Sequence, residues 1–401
     1  MTPKIKVLIL GGGYAGVTAA TGLRAACRRH GRLSITLVNK HNYHYFTTLL
    51  HQCVGRRGYQ DISVDLPSLL QPEINFRQGQ AVALTPNENQ VEIESEGTRH
   101  TLDYDYLVLA LGWEPQFYNI SGLEQHALVL KNLNMARIIK NRIEEQMALA
   151  SEHPAETWRT QIIVGGGGFT GVEVAGELAD WCPRLIDRYD LKSIGITLIE
   201  GAPAILPGFD GLLVKDATCL LQQKQINLIT GARIERVEER CVALADGRRL
   251  EAGVIIWTGG VRGHPLVEAS GFTVNKQGRA EVNSYLQSVD SPNVYVIGDC
   301  CLAKDADGKA LPPTAQIAFQ QGKSVAQNLQ RVLTGKAPVP FTPKVLGTFL
   351  TLGRKDALGV MQNKYRFSGW TAKMMKHFIA YRYLWGIGGL GLPLRKFWER
   401  R

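Results

Sequence analysis

The sequence lacks the features of a disulfide scaffold, a zinc protein and a membrane-spanning protein. It contains no CxxC pair and no zinc-ligand spacing, because its seven cysteines stand at positions 27, 53, 182, 219, 241, 300 and 301. An odd number of such cysteines is typical of a reduced, intracellular protein, and we expect no metal site. No run of about 18 uninterrupted apolar residues occurs, which argues against a spanning helix.

The patterns of nucleic-acid-binding proteins are missing too, although the formal net charge of the 401 residues is +10. No helix-turn-helix, RNP or zinc-finger pattern occurs, so no nucleic-acid partner is expected. The charge is also uneven. Residues 361–401 hold nine Lys or Arg and one Glu, a net charge of +8 that leaves only +2 for the first 360 residues. The basic character therefore belongs to one C-terminal segment.

The chain does contain two glycine-rich turns of the GxGxxG type, each placed between a strand and a helix. The first follows the apolar run Lys6–Leu10, opens an alanine-rich helix through Ala26, and precedes a strand at Ile35–Val38; its glycines are Gly11, Gly13 and Gly16. In such a turn the first glycine permits the bend, the second admits a pyrophosphate and the third packs helix on strand.

The second turn repeats this arrangement. It follows Ile162–Val164, opens a helix predicted at Val172–Asp180 and precedes a strand at Ile196–Ile199; its glycines are Gly166, Gly168 and Gly171. Two such units predict an α/β protein with two Rossmann-like dinucleotide-binding domains, and electron transfer between the two dinucleotides.

The residue that ends the second strand of each unit distinguishes the two sites. Glu200 could bind both ribose hydroxyls of an adenosine and would repel a 2′-phosphate, which favours NADH over NADPH. Its distance from Gly171 is longer than usual, apparently because of an inserted stretch, WCPRLIDRYDLKS. The first unit has Asn39 at this position, which can still hydrogen-bond a ribose.

Three further strands end at glycines that would let a cofactor approach the backbone. They are Tyr106–Leu109 before Gly112, Val254–Trp257 before Gly260, and Val294–Ile297 before Gly298. Asp299 follows the last strand and could bind a ribityl hydroxyl; alternatively its side chain caps a helix or a turn.

These motifs together resemble a known superfamily. GGGYAG, LVLALG, GGGGFTGVE, WTGG and VYVIGDC, in this order, are similar to the two-dinucleotide-binding-domain flavoproteins. Within it, YHYFTTLLH (Tyr43–His51), WTGGVRG, PPTAQIAFQQG (Pro312–Gly322) and a basic C-terminal segment resemble the type II NADH dehydrogenases. The resemblance implies residues 1–115 and 285–335 as an FAD-binding domain, 116–284 as an inserted NADH-binding domain, and 336–401 as a membrane-association region. Independently of the resemblance, the three prolines of GKAPVPFTPK (335–344) predict a linker.

The resemblance also implies site residues. Non-covalently bound FAD would contact Gly11, Gly13, Tyr14, Ala15, Gly16, Asn39, Lys40, Thr48, Gly112, Asp299, Thr314, Ala315 and Gln316. NADH would contact Gly166, Gly168, Gly171, Glu173, Glu200 and Gly260.

Four residues would have catalytic roles in the family, and three of them also have a plainer interpretation. Gln316 and Gln320 would lie near the flavin and could hydrogen-bond quinone carbonyls; alternatively they face solvent on a helix. Glu173 would lie near nicotinamide and quinone and either deliver protons or position the nicotinamide. Lys376 would lie near the quinone pocket; alternatively it is a lipid-facing surface lysine.

Cysteine positions separate the chain from thiol-dependent relatives. Disulfide reductases carry a CxxxxC pair after the second strand, where this chain has only Cys53, and sulfide:quinone oxidoreductases carry a cysteine close to the C-terminal region, where it has none. We therefore expect Cys300 and Cys301 to be buried packing residues rather than a redox pair.

The C-terminal segment carries an aromatic stripe. On a helix, one arc of about 80° holds Trp370, Met374, Phe378, Tyr381 and Trp385, whereas Lys373, Lys376 and Tyr383 lie away from it. Such a stripe usually packs on the protein core. The flanking cations, the apolar stretch LWGIGGLGLPL (Leu384–Leu394) and the basic end RKFWERR favour a helix lying in a membrane interface.

The resemblance thus implies a non-proton-pumping NADH:quinone oxidoreductase, in which FAD takes a hydride from NADH and reduces a menaquinone or ubiquinone. It would be a homodimer at the cytoplasmic face of the cell membrane. Two alternatives remain open: a soluble NADH-dependent reductase of a ferredoxin-like protein, with the basic segment as its docking patch, and a non-catalytic NADH-sensing protein.

Overall fold

The computed structural model describes residues 4–29, 33–55, 58–70, 72–362, 364–389 and Leu392. Its first parallel sheet has five strands, in the order Val294–Val296, Tyr106–Leu109, Ile5–Leu10, Leu33–Asn39 and Asn75–Gln78. The central strand leads into the first glycine turn and the helix Tyr14–Arg29. This helix packs closely on the helix Ala315–Leu333. The close approach requires Gly22 and Gly322, because a Cβ at either position would clash with the opposite helix.

The second parallel sheet has the same design. Its strand order is Leu128–Val129, Val254–Trp257, Gln161–Gly165, Gly195–Glu200 and Asn227–Thr230. Both glycine turns thus stand at the carboxyl end of a central strand, the usual ligand position in parallel sheets. The helices of this unit are Leu133–Glu152, Phe169–Tyr189 and Gly211–Gln223.

The helix after the second glycine turn differs from our prediction. It was expected at Val172–Asp180 with an insertion after it, but it runs from Phe169 to Tyr189 and contains Pro183. The WCPRLIDRYDLKS stretch is therefore mostly continued helix. Its buried Trp181, Cys182 and Leu185 keep the apolar face of the helix on the core, which outweighs the hydrogen bond lost at proline.

Smaller elements surround the two sheets. Antiparallel sheets are formed by Gln80–Thr85, Gln90–Ser95 and Thr98–Asp103, and by Ile234–Glu238, Cys241–Leu244 and Arg249–Glu251. Paired strands are Trp113–Pro115 with Val261–Gly263, Tyr43–Tyr45 with Ser63–Asp65, and Ala280–Glu281 with Cys301–Leu302. Short helices are Gln52–Gly55, Leu66–Leu70, Leu123–His126 and Pro265–Ala269, with 3-10 turns at Thr47–Leu49, Tyr59–Ile62, Pro86–Glu88, Thr157–Thr160 and Gly298–Cys300.

The C-terminal region holds a sheet that our sequence analysis missed. After residues 336–346, which have no helix or strand, comes an antiparallel C-terminal sheet of Gly347–Leu352, Asp356–Met361 and Tyr365–Ser368. It is followed by the C-terminal helix, Gly369–Gly388. None of the helices in the described part of the chain is both long and apolar enough to cross a bilayer.

An ion-paired contact fastens the C-terminal sheet to the second unit. Lys224 donates to Asp180 at 2.7 Å and to Asp356 at 2.9 Å, and the other oxygen of Asp180 accepts from the backbone of Arg354. Gly176 allows the helix to touch Leu352, since a Cβ there would lie 2.8 Å from the Leu352 backbone. The C-terminal region is thus built onto the helix that follows the second glycine turn.

Candidate active site

The first glycine turn has the geometry of a phosphate cradle. Gly11 has φ +110°, and a Cβ on Gly16 would lie 2.0 Å from the Gly11 carbonyl oxygen, so both positions require glycine. A Cβ on Gly13, in contrast, would meet no protein atom within 4 Å. Gly13 therefore borders open space at the helix N-terminus, where a pyrophosphate would find backbone N–H groups. Asn39 closes the turn by accepting a 2.8 Å hydrogen bond from the Gly12 N–H.

The second turn reproduces this geometry. Gly166 has φ +101°, a Cβ on Gly171 would lie 1.9 Å from the Gly166 carbonyl oxygen, and a Cβ on Gly168 would again meet nothing within 4 Å. Glu200 takes the place of Asn39 and accepts hydrogen bonds from the N–H groups of Gly167 at 2.6 Å and Ala202 at 2.7 Å. The chain thus presents two equivalent dinucleotide cradles, one neutral and one with a carboxylate.

Other predicted cofactor residues border these cradles. Tyr14 and Thr48 are linked through their hydroxyls at 3.1 Å, and burial raises the pKa of Tyr14 to about 12. Lys40 is exposed, Ala15 is buried beside Gly298, and Gly112 has φ +77° with open space beyond it. Gly260 needs its φ of +147°, and a Cβ there would clash with the Tyr118 hydroxyl.

Asp299 lies in the turn that ends the edge strand of the first sheet. Its carboxylate is half-buried and makes no hydrogen bond to the described residues, and the turn has no side-chain cap. Burial raises the pKa of Asp299 to about 6, against the opposing effect of the Arg279 cation. Arg279, which sequence reasoning missed, is buried and donates to the carbonyls of Cys301 and Leu311.

The predicted glutamines have different surroundings. Thr314 caps the helix Ala315–Leu333 through a 3.3 Å bond from the Ile317 N–H. Gln316 is half-buried, and its side-chain amide makes no hydrogen bond to the described residues. The Gln320 amide instead binds both backbone groups of Lys344, at 2.8 and 2.9 Å. Gln316 is therefore better placed than Gln320 to offer its amide to a ligand.

Glu173 and Lys376 meet in a buried cluster with two residues that we did not predict, His51 and Thr351; we call these four residues the Glu173 cluster. Lys376 Nζ donates to Glu173 Oε1, which also accepts from the Thr351 N–H at 2.9 Å. His51 Nδ1 lies 3.2 Å from Glu173 Oε2. Each of the four side chains is at most 10% exposed.

The cluster rules out the lipid-facing alternative for Lys376, since that lysine points into the protein. His51 ends the YHYFTTLLH motif, and its place in that motif is the only sequence feature that could have identified it as a site residue. Thr351 lies within the unpredicted C-terminal sheet and gave no signal at all.

A second buried contact joins the C-terminal helix to the first glycine turn. His44 Nδ1 lies 2.9 Å from the Gly12 carbonyl oxygen, and its Nε2 lies 3.0 Å from the Tyr383 hydroxyl. Burial lowers the pKa of His44 to about 4 and raises that of Tyr383 well above its usual value. Tyr383 also packs on Tyr14, with ring centroids 4.5 Å apart.

The opposite face of the C-terminal helix is apolar and exposed. Trp370 is 71%, Phe378 61%, Trp385 57% and Met374 49% exposed, whereas Tyr381 is half-buried. The predicted separation is thus confirmed for most of the stripe, with Lys376 and Tyr383 on the buried face. The cations Arg395, Lys396, Arg400 and Arg401 lie outside the described residues.

Comparisons with known proteins identify the family of the chain. Residues 5–322 match the model of the family described as pyridine nucleotide-disulphide oxidoreductase. Proteins named type II NADH:quinone oxidoreductase, from Staphylococcus aureus strains MSSA476 and NCTC 8325, are 36% identical over 400 residues, covering 98% of both chains. The chain belongs to the type II NADH:quinone oxidoreductases.

Solved structures show that the fold is shared with this family and beyond it. NDH2 from Plasmodium falciparum, solved with NADH, superposes with a TM-score of 0.86 at 19% identity, covering 98% of this chain and 97% of that one. The sulfide:quinone oxidoreductase of Aquifex aeolicus superposes with a TM-score of 0.77 at 22% identity, covering 96% and 92%. At these identities the likeness concerns the fold alone.

The wider family is described as disulphide oxidoreductases, and disulphide chemistry needs reactive thiols. This member of the type II NADH:quinone oxidoreductases has its vicinal thiols in an unreactive environment. Cys300 and Cys301 are fully buried, as predicted. Burial raises the pKa of Cys300 to about 11 and that of Cys301 further still, so the reactive thiolate form is disfavoured at neutral pH. Gln321 occupies this region too, and its amide links Gly298 to Cys301.

Proposed function

We infer that the protein is an FAD-dependent NADH:quinone oxidoreductase. The observation that carries this inference is the pair of matching glycine cradles in one chain, each open beside its middle glycine. A chain that binds two dinucleotides can bring a flavin and a nicotinamide together for electron transfer. FAD, when bound, supplies the chemistry that accepts a hydride from NADH and returns two electrons to quinone.

We propose that the first cradle holds FAD and the second NADH. Gly13 would approach the FAD pyrophosphate, and Asp299, with its raised pKa, would hydrogen-bond a flavin-chain hydroxyl. Glu200 would bind the adenosine ribose of NADH. Its carboxylate already faces two backbone N–H groups, and its charge would repel the 2′-phosphate of NADPH.

The quinone side would use Gln316 and the Glu173 cluster. The Gln316 amide makes no hydrogen bond to the described residues, and an uncharged amide suits a quinone carbonyl. Glu173 and Lys376 form a buried ion pair that can hold or give up a proton where solvent is excluded. Gln320 would act indirectly, by holding the linker segment at Lys344 in place.

We propose that the exposed face of the C-terminal helix lies in a membrane interface. Four large apolar side chains on this face would otherwise be in water, and Lys364, Arg366 and Arg382 lie exposed on the same segment. A location at the cytoplasmic face of the cell membrane and a homodimer stay predictions of the family resemblance.

An anaerobic titration tests the proposed reaction. NADH should bleach the oxidised-flavin absorbance of the purified protein, and a short-chain quinone should restore it. Bleaching without restoration by quinone would contradict the proposal. Restoration by a ferredoxin-like protein, together with recovery of the protein in the detergent-free supernatant, would favour the soluble reductase instead; the absence of steady-state NADH oxidation with any quinone would favour a sensor.

A further inference from the structure

His51 is held in the Glu173 cluster through both nitrogens of its ring. It stands between the 3-10 turn Thr47–Leu49 and the short helix Gln52–Gly55, and only 3% of its surface is exposed. Its Nδ1 lies 3.2 Å from Glu173 Oε2, and its Nε2 lies 2.9 Å from Thr351 Oγ1. A ring held at both ends in this way has one orientation.

The two carboxylate oxygens of Glu173 are contacted by different residues. Oε1 faces Lys376 and the backbone and hydroxyl of Thr351, whereas Oε2 is contacted, among the described residues, by His51. Without the imidazole, Oε2 would be a buried carboxylate oxygen with no donor among the residues that the structure describes, which is a costly state. The orientation of the carboxylate therefore depends on His51.

The donors around the ring can be assigned from their chemistry. The Lys376 ammonium can only donate, and it lies 3.2 Å from Thr351 Oγ1, which therefore accepts. With neutral His51, the Nδ1–H must donate to Glu173, because a bare nitrogen there would face a carboxylate. Nε2 is then unprotonated and can only accept, so the single Thr351 hydroxyl hydrogen is shared between His51 Nε2 at 2.9 Å and Glu173 Oε1 at 3.2 Å. Lys376, Thr351 and His51 thus all contact the Glu173 carboxylate, and Thr351 also links Lys376 to His51.

We propose that His51, together with Thr351, is a positioning residue for the quinone half of the reaction: it turns Glu173 so that one oxygen stays with Lys376. The proposal rests on the proposed role of Glu173 and Lys376. Three parts of the chain meet here, since His51 follows the first glycine unit, Glu173 belongs to the second, and Thr351 and Lys376 come from the C-terminal region. The alignment of the ion pair therefore depends on how these parts are packed.

The test compares His51→Leu with His51→Gln in the FAD-loaded enzyme. Leucine removes the hydrogen bond to Thr351 and the polar contact with Glu173, whereas the glutamine amide offers an N–H group to Glu173 and an oxygen to Thr351. Stopped-flow spectroscopy would follow flavin bleaching by NADH and flavin recovery with a short-chain quinone separately. We expect His51→Leu to slow recovery about tenfold, the effect of one lost buried hydrogen bond, and His51→Gln to restore most of it. Bleaching by NADH should change much less than recovery in both variants.

Thr351→Val provides a second route to the same result, and His100→Gln, on an exposed strand, is the matched histidine control. Thr351→Val should also slow recovery, and the double variant with His51→Leu should be less than additive, because both act on one carboxylate. If His51→Leu does not fold, Thr351→Val alone decides: recovery at the wild-type rate overturns the proposal.

Glu173→Gln separates failure of this proposal from failure of the proposed function. If Glu173→Gln slows recovery while His51→Leu and Thr351→Val do not, the positioning role is overturned and the role of Glu173 stands. If Glu173→Gln recovers normally, the quinone-side role of Glu173 is itself wrong, and the positioning role is overturned with it. A bleaching rate that falls as much as the recovery rate in His51→Leu would also overturn the proposal, because it would indicate a general structural defect.

Discussion

The hydroxyl of Tyr383 donates a 3.0 Å hydrogen bond to Nε2 of His44, deep between the C-terminal helix and the first glycine turn. Because burial keeps His44 neutral, its Nδ1–H is left to donate to the Gly12 carbonyl. The His44 imidazole thereby links the C-terminal helix to the proposed FAD cradle, beside the direct packing of Tyr383 on Tyr14.

Tyr383→Phe should weaken this connection while leaving the packing of the ring in place. We expect a loss of about 1 kcal/mol of stability and a faster release of FAD, because His44 Nε2 would be left without its donor. Thermal unfolding and FAD fluorescence after dilution would measure the two effects. Tyr365→Phe, at an exposed tyrosine in the C-terminal sheet, is the control and should change neither. Equal FAD release from both variants would contradict the prediction.

His44 should make stability depend on pH in the acidic range. Its pKa is lowered from 6.5 to about 4 in the folded state, so the unfolded chain binds the proton more readily between these values. Folding stability should therefore fall as the pH drops from about 6.5 towards 4, by up to ~3 kcal/mol from this residue. Urea unfolding at pH 7, 5.5 and 4.5 should show a shallower loss in His44→Gln than in wild type. Parallel slopes would refute the assignment.

The second glycine turn allows a matched pair of substitutions. Gly168→Ala adds a methyl group that meets no protein atom, so it should fold normally but obstruct the nucleotide and raise the KM for NADH about tenfold or more. Gly171→Ala puts the methyl group 1.9 Å from the Gly166 carbonyl oxygen and should cost about 1–3 kcal/mol of stability. Steady-state kinetics and thermal unfolding distinguish the two. An unstable Gly168→Ala with normal KM would contradict this reading of the turn.

Membrane association should depend on the exposed side chains of the C-terminal helix. The double substitution Trp370→Ser and Phe378→Ser should lower binding to anionic vesicles roughly tenfold or more, while activity with a water-soluble quinone stays near wild type. Val289→Ser with Ile138→Ser removes exposed apolar side chains elsewhere and is the control. Undiminished vesicle binding of the Trp370 and Phe378 variant would show that another surface binds the membrane. Deleting residues 365–401 is the poorer experiment, since it also removes buried Lys376 and Tyr383.

The sequence predicted the parts of this molecule that repeat or depend on local rules. Both glycine turns, with their open middle position, follow from strand, glycine and helix signals within a few residues of each other. The equivalence of Asn39 and Glu200 follows from the same repeat. The two faces of the C-terminal helix followed from helical periodicity, which separated exposed Trp370 from buried Tyr383.

What the sequence did not predict depends on contacts between distant segments. His51 and Thr351 are 300 positions apart, and neither has a pattern that indicates the other. The helix predicted at Val172–Asp180 continues to Tyr189, because packing of its buried face outweighs the hydrogen bond lost at Pro183. Gln316 and Gln320 also differ through a distant segment. The linker passes Gln320, whose amide binds the Lys344 backbone, whereas the Gln316 amide makes no hydrogen bond to the described residues.

The Glu173 cluster draws its four side chains from positions 51, 173, 351 and 376, so it can form only after almost the whole chain has been synthesised. A chain cut short in translation, or clipped by a protease before the last helix, would still contain both glycine turns but no Lys376. The Glu173–Lys376 ion pair therefore exists only in chains that have been synthesised through the C-terminal helix.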